Sequence, residues 1–208
     1  MSRRRQVTVA LLGACLGLGS GCIVGGLGKR AVDQTPLRIV DVVSGRPITY
    51  CLVIPVYDRA AGVGTMAGEG PGASVVEYKF VANPFIYRTG DPFKPIERGG
   101  GGIGLPFGIA GAGNGWGIDG VVVVAKGFNP MYIYKLWDRA ERPELRFTLA
   151  PVSAAEWTAY AARLTQAISA KTPKKGELAS LLGLYDSDGF RAQFTESDRR
   201  LLTTFLSR

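Results

Sequence analysis

At Ser153 the hydrophobic period of this 208-residue chain changes, and no other feature constrains its fold as much. Before that point, Val76, Tyr78 and Phe80 are interleaved with Glu77 and Lys79, and Leu145, Phe147 and Leu149 with Arg146 and Thr148. A period of two places one set of side chains on one face of a strand. Residues 37–43 and 48–57 read as two further strands around the turn Ser44-Gly45-Arg46-Pro47, where glycine permits positive φ and proline stops strand pairing. Residues 121–124 are valine throughout, which fits a central strand buried on both faces. Another strand is expected over 131–137, after the turn Lys126-Gly127-Phe128-Asn129-Pro130. Beyond Ser153 the spacing becomes helical. Trp157, Tyr160, Ala161, Leu164 and Ile168 follow the capping box Ser153-Ala154-Ala155-Glu156 and predict a helix over 154–170. A second helix is expected over 177–184. Thr195-Glu196-Ser197-Asp198 caps a last one carrying Leu201, Leu202, Phe205 and Leu206. The expectation is a mainly β domain over 37–151 and a helical C-terminal region over 152–208 whose apolar stripes dock on it.

The N-terminus carries the order of a bacterial lipoprotein signal. Arg3, Arg4 and Arg5 are followed by a mostly apolar, uncharged stretch, then by Leu18-Gly19-Ser20-Gly21 and Cys22. Residues 1–21 are therefore expected to be a signal peptide cleaved between Gly21 and Cys22, with lipid on the Cys22 thiol and a lipidated tether over 22–36. Two alternatives stay open. Cys15, after Leu12-Gly13-Ala14, fits the local pattern but leaves a short apolar region. An uncleaved anchor helix over 7–28 is opposed by its many glycines and by Lys29-Arg30 on the far side. Ser2-Arg3-Arg4 resembles a twin-arginine signal, but Gln6-Val7 follows where Phe-Leu is usual, which favours ordinary secretory export. The expected location is the cell envelope. If that envelope has two membranes, Ile23 carries no aspartate retention signal, and the outer membrane facing the periplasm is expected.

Composition limits the chemistry. The chain contains no histidine, which excludes Ser-His-Asp and Cys-His catalysis and histidine-ligated metals. Beyond Cys22 the only cysteine is Cys51, inside an apolar strand, so neither an intramolecular disulfide nor a cysteine metal site is expected. No cofactor is implied. The formal charge of +8 includes the three arginines of the signal, and no dense Lys/Arg stripe occurs; anionic lipid or glycan fits this better than nucleic acid. Residues 99–120 hold much of the glycine and read as a surface loop whose Ile103, Leu105, Phe107, Ile109 and Trp116 need burial against membrane or partner. Gly115-Trp116-Gly117-Ile118-Asp119-Gly120 spells G-x-G-x-x-G, but a valine strand follows where a dinucleotide site needs a helix. Asp186-Ser187-Asp188-Gly189 lacks the outer ligands of a calcium loop and reads as a turn.

Residues 38–57, "RIVDVVSGRPITYCLVIPVY", with 120–134, "GVVVVAKGFNPMYIY", and 145–151, "LRFTLAP", resemble in order the carboxypeptidase regulatory-like, or prealbumin-like, β-sandwich. The matching elements are the Ser44-Gly45-Arg46-Pro47 turn, the Gly127-Phe128-Asn129-Pro130 element and the closing Leu149-Ala150-Pro151. The Thr-Asp-x-x-Gly signal usual before the valine strand is absent, and the glycine-rich segment stands in its place. The resemblance implies an antiparallel immunoglobulin-like sandwich of about seven strands. It also implies a noncatalytic role in adhesion, carbohydrate contact or spacing. Tyr132 and Tyr134 share a strand face, with Trp137, Lys126 and Lys135 nearby. They form a candidate platform for glycan or a partner protein, against the plainer reading of cross-strand packing. The expected function is a noncatalytic, lipid-anchored envelope protein contacting glycan or another envelope protein. The alternative is a lipid-anchored periplasmic hydrolase using acids such as Asp119, Asp186 or Asp188.

Overall fold

The structure, a computed structural model, describes residues 23–34, 36–64, 74–104, 111–134, 144–170, 175–184 and 189–208. In chain order its elements are β1 (Ile23–Gln34), β2 (Leu37–Asp41), β3 (Tyr50–Gly64), β4 (Ser74–Val81), β5 (Phe85–Arg88), β6 (Phe93–Gly104), β7 (Gly111–Val124), β8 (Met131–Tyr134), β9 (Leu145–Leu149), α1 (Ala154–Ser169), α2 (Lys175–Leu181), β10 (Arg191–Ala192) and α3 (Glu196–Ser207). The chain divides into two compact units. One comprises Met1–Lys29, Ala60–Val76 and Gly99–Gly115, and its described residues are all strand. The other comprises Arg30–Arg59, Glu77–Arg98 and Trp116–Arg208 and carries the helices.

An eight-stranded sheet runs in the order β1-β6-β7-β3-β4-β10, with β5 paired to β3 and β8 to β7. β3 and β7 are central because both faces of each are apolar. Leu52, Ile54, Val56, Val122 and Val124 pack with Trp157, Leu164, Ile168, Leu178, Leu182, Leu202 and Leu206 of the helical region. Cys51, Val53, Tyr57, Val121 and Val123 face the other way, onto Leu37 and Ile39 of β2 and Leu145 and Leu149 of β9. Alternate residues of a strand serve opposite faces, so within the second unit the sheet is covered by helices on one side and by the β2–β9 pair on the other. Val53, Phe80, Val121 and Val123 are buried in this second cluster, with Tyr78 and Phe147 packed half-buried against it.

Several departures from the sequence reading have identifiable causes. β2 and β9 pair in parallel, Leu37 opposite Leu145 through Asp41 opposite Leu149, and β10 pairs with β4 in parallel. The strands are thus not antiparallel throughout. Strands far apart in sequence are free of the hairpin constraint that fixes direction. Residues 23–34, expected as a tether, form β1 alongside β6, where backbone pairing gives this stretch partners. Most of 99–120, expected as a loop, is strand: β6 continues to Gly104 and β7 begins at Gly111. A Cβ on Gly100 would lie 3.0 Å from the Gly115 Cα and 3.1 Å from the Asn114 oxygen. Glycine there permits close approach of backbones rather than marking a loop. Leu105, Phe107 and Ile109 lie outside the described residues.

The helical region follows its caps. Ser153 and Thr195 each form the reciprocal capping box, with Glu156 and Asp198 respectively. Trp157 and Leu164 are buried on the sheet and Tyr160 packs beside them. Among the described residues no helix is long and apolar enough to cross a membrane.

Candidate functional site

Four strands bring polar side chains together on the helix-covered face of the sheet. On β3, Asp58 continues the row Leu52, Ile54, Val56. On β4, Lys79 shares the face of Val81. On β8, Tyr132 and Tyr134 lie opposite Val122 and Gly120 of β7. Asp119 joins them through a slip in β7. Trp116 and Ile118 belong to the β2–β9 side, and so do Val121 and Val123. The alternation therefore shifts by one residue at Asp119-Gly120, as an extra residue in a strand makes it do, and the shift turns the Asp119 carboxylate to the helix side. Gly120 makes room for β8. A Cβ there would stand 2.3 Å from the Ile133 oxygen and 2.7 Å from the Tyr132 ring.

Asp119 is the one buried charged side chain among the described residues, only 3% exposed. Its Oδ2 accepts from the Lys79 ammonium at 3.0 Å and from the Tyr132 hydroxyl. A buried carboxylate needs such partners, because removing either would leave charge without solvation. Desolvation raises the Tyr132 pKa, and the adjacent Asp119 raises it further, so the phenol keeps its proton and donates it. Desolvation pulls the Lys79 ammonium down, but the hydrogen bond and charge of Asp119, followed by the charge of Asp58, outweigh this and leave its pKa raised. Asp58 lies at the exposed rim. Its pKa is pushed up to about 6, first by desolvation of the carboxyl, then by the Asp119 charge and by a hydrogen bond between the two carboxyl groups that needs a proton.

Tyr134 is 48% exposed, and the Lys79 Nζ stands 5.7 Å from its ring centroid. The rings of Tyr132 and Tyr134 are 6.3 Å apart and tilted by 52°. They do not form a flat two-ring platform: Tyr132 is half-buried and tied to Asp119, while Tyr134 presents its ring. Trp137 and Lys135 lie outside the described residues, as do Cys15, Gly21, Cys22, Asp186 and Asp188. Lys126 is turned elsewhere and donates to the Arg208 carbonyl. Cys51 is fully buried, and burial pushes its thiol up to about 12, which makes it an inert core residue. Among the described residues no three His, Cys, Asp or Glu side chains are grouped to hold a metal. A groove between α1 and α3, lined by Ser169, Glu196, Arg199, Arg200, Thr203 and Thr204, does not include the Asp58–Asp119 pair.

Sequence reasoning singled out Asp119, Tyr132 and Tyr134 but passed over Asp58 and Lys79. The available signal was Asp119 itself, a charge separated by one glycine from a run of four valines. The partners of such a carboxylate come from neighbouring strands, and no spacing along the chain reveals them. Comparison of the chain with protein-family models, with curated proteins and with solved structures finds no match.

Proposed function

We propose that this protein is a noncatalytic, lipid-anchored module of the cell envelope that contacts glycan or another envelope protein through the surface around Tyr134. The observation that carries this reading is the half-exposed Tyr134 ring, with the Lys79 ammonium beside it. An aromatic ring with a cationic donor beside it suits a sugar ring, which has apolar faces and hydroxyls at its edge. Asp119 and Tyr132 act behind it by holding Lys79 and β8 in place. The lipoprotein signal ending in Gly21-Cys22 supplies the anchor, and an immunoglobulin- or prealbumin-like sandwich, on the resemblance of 38–57, 120–134 and 145–151, supplies the scaffold. The test is sedimentation of the full chain with isolated envelope polysaccharide. Tyr134→Ala is expected to abolish co-sedimentation while leaving the unfolding midpoint unchanged; binding that survives the substitution removes this surface from the function.

A second reading is favoured by one specific feature, the raised pKa of Asp58 beside Asp119. A carboxyl held partly protonated beside a second, buried carboxyl is the minimum equipment of an acid-dependent hydrolase. That reading requires release of soluble sugar or peptide fragments from envelope material, lost in Asp58→Asn.

A further inference from the structure

On the other face of the sheet, two guanidinium groups converge on one tyrosine ring. β10 is only two residues long, but Phe190 is buried among the helices and anchors it, so that Arg191 falls opposite Phe80 of β4 and emerges on the β2–β9 side. There the Arg191 Cζ stacks 4.1 Å from the Tyr78 ring centroid. Arg59, at the same face of β3, donates from Nη1 to the Tyr78 hydroxyl at 2.9 Å, with its Cζ 5.8 Å from the ring centroid. Stacking uses the flat face of a guanidinium and fixes its plane. It leaves the in-plane N–H edge of Arg191 available, and that edge has the geometry of a two-oxygen acceptor. Arg191 is exposed, and among the described residues no carboxylate pairs with it. Among the described residues, Glu97 is an acid whose charge reaches this side, at Tyr57. Two guanidiniums gathered on one ring repel each other, and an anion at the Arg191 edge would relieve that repulsion.

We propose that Arg191, fixed on Tyr78 and flanked by Arg59, is a binding site for a phosphate-type oxyanion. It is separate from the Tyr134 surface, on the opposite face of the sheet. The oxyanion can come from two sources, free phosphate or the phosphate of an anionic lipid headgroup, and one experiment separates them. The full chain in maltoside micelles is titrated with inorganic phosphate, with chloride at matched ionic strength as the reference, while the arginine Nε–Hε resonances are followed by NMR. A saturable shift at Arg191 is expected with phosphate and not with chloride.

Arg191→Gln is expected to weaken the phosphate response by about tenfold or more, as losing a charge-assisted contact does. Arg163→Gln removes the same charge from an exposed position on α1 and is expected to leave it intact. Tyr78→Phe keeps the stacking ring and should retain most of the affinity, whereas Tyr78→Leu should lose it. Should the leucine variant fail to fold, the surface substitution Arg191→Gln still decides. Doping the micelles with phosphatidylglycerol identifies the source. Saturation at lower phosphate content than with the inorganic ion assigns the site to lipid, and equal content assigns it to free phosphate. Absence of a saturable response, or equal loss in Arg163→Gln and Arg191→Gln, overturns the proposal.

Discussion

Asp58 and Asp119 show how one side chain's surroundings decide its chemistry. Both are aspartates on neighbouring strands, yet Asp119 is buried with two donors while Asp58 sits at the rim with a carboxylate for a neighbour. The raised pKa of Asp58 has a signed consequence. Its ordinary value is 3.8 and its folded value about 6, so between them the folded chain holds a proton that the unfolded chain has released. The stability from this proton is present in full below 3.8 and is lost as pH rises through about 6. Asparagine mimics the protonated form. Asp58→Asn is therefore expected to melt higher than the wild type at about pH 8 and with it at about pH 4. Thermal unfolding across that range checks this, and a constant difference between the two chains would show that the pair does not share a proton. Asp119 was legible in the sequence as a charge beside a valine block, whereas the identity of its partners was not.

The helices are the elements most fully written in the sequence. A capping box specifies where a helix starts from four adjacent residues, and an apolar stripe specifies which side it buries; both are local facts. Helix α1 accordingly begins after Ser153, with Glu156 bonded back to the Ser153 backbone N–H at 2.8 Å. Ser153→Ala is expected to cost about 1 kcal/mol. Trp157→Ala, which empties a site in the cluster that also holds Leu52, Ile54 and Val122, is expected to cost about 3–5 kcal/mol. Denaturant unfolding separates the two, and equal losses would mean that Trp157 contributes little to docking α1. The glycine-rich strands were the hardest elements to read. Glycine in β1, β6 and the first half of β7 removes the alternation by which strands are recognised, and the same lack of side chains is what lets Gly100 approach Gly115.

At the largest scale that the packing defines, the second compact unit, a sheet lies between helices and a two-stranded parallel pair, and the two surfaces proposed to bind lie on opposite faces of that sheet. The proposed anchor rests on residues outside the described ones. Cys22→Ser is expected to leave an unprocessed precursor and to abolish incorporation of labelled fatty acid. Labelling that persists in that variant and disappears in Cys15→Ser would move the lipid to Cys15. One acyl chain gives only marginal membrane binding, on the order of 10⁴ M⁻¹, so under the proposed lipidation the number of chains on the cysteine would decide how firmly the protein is held.

The sequence by itself determined what depends on neighbours along the chain. That comprises the switch from strands to helices at Ser153, the caps, the turn at Gly45 with its φ of +67°, the valine core and the burial of Cys51. Each follows from backbone preference or from hydrophobic patterning over a few residues. Only the tertiary structure decided the parallel partnership of β2 with β9, the strand character of the glycine-rich segments, and the meeting of Asp58, Lys79, Asp119 and Tyr132. It also decided the stacking of Arg191 on Tyr78. These depend on which strands lie side by side and on a one-residue slip in β7. Hydrogen bonding and charge act across a few ångströms of space, with no regard to the separation of the groups in sequence.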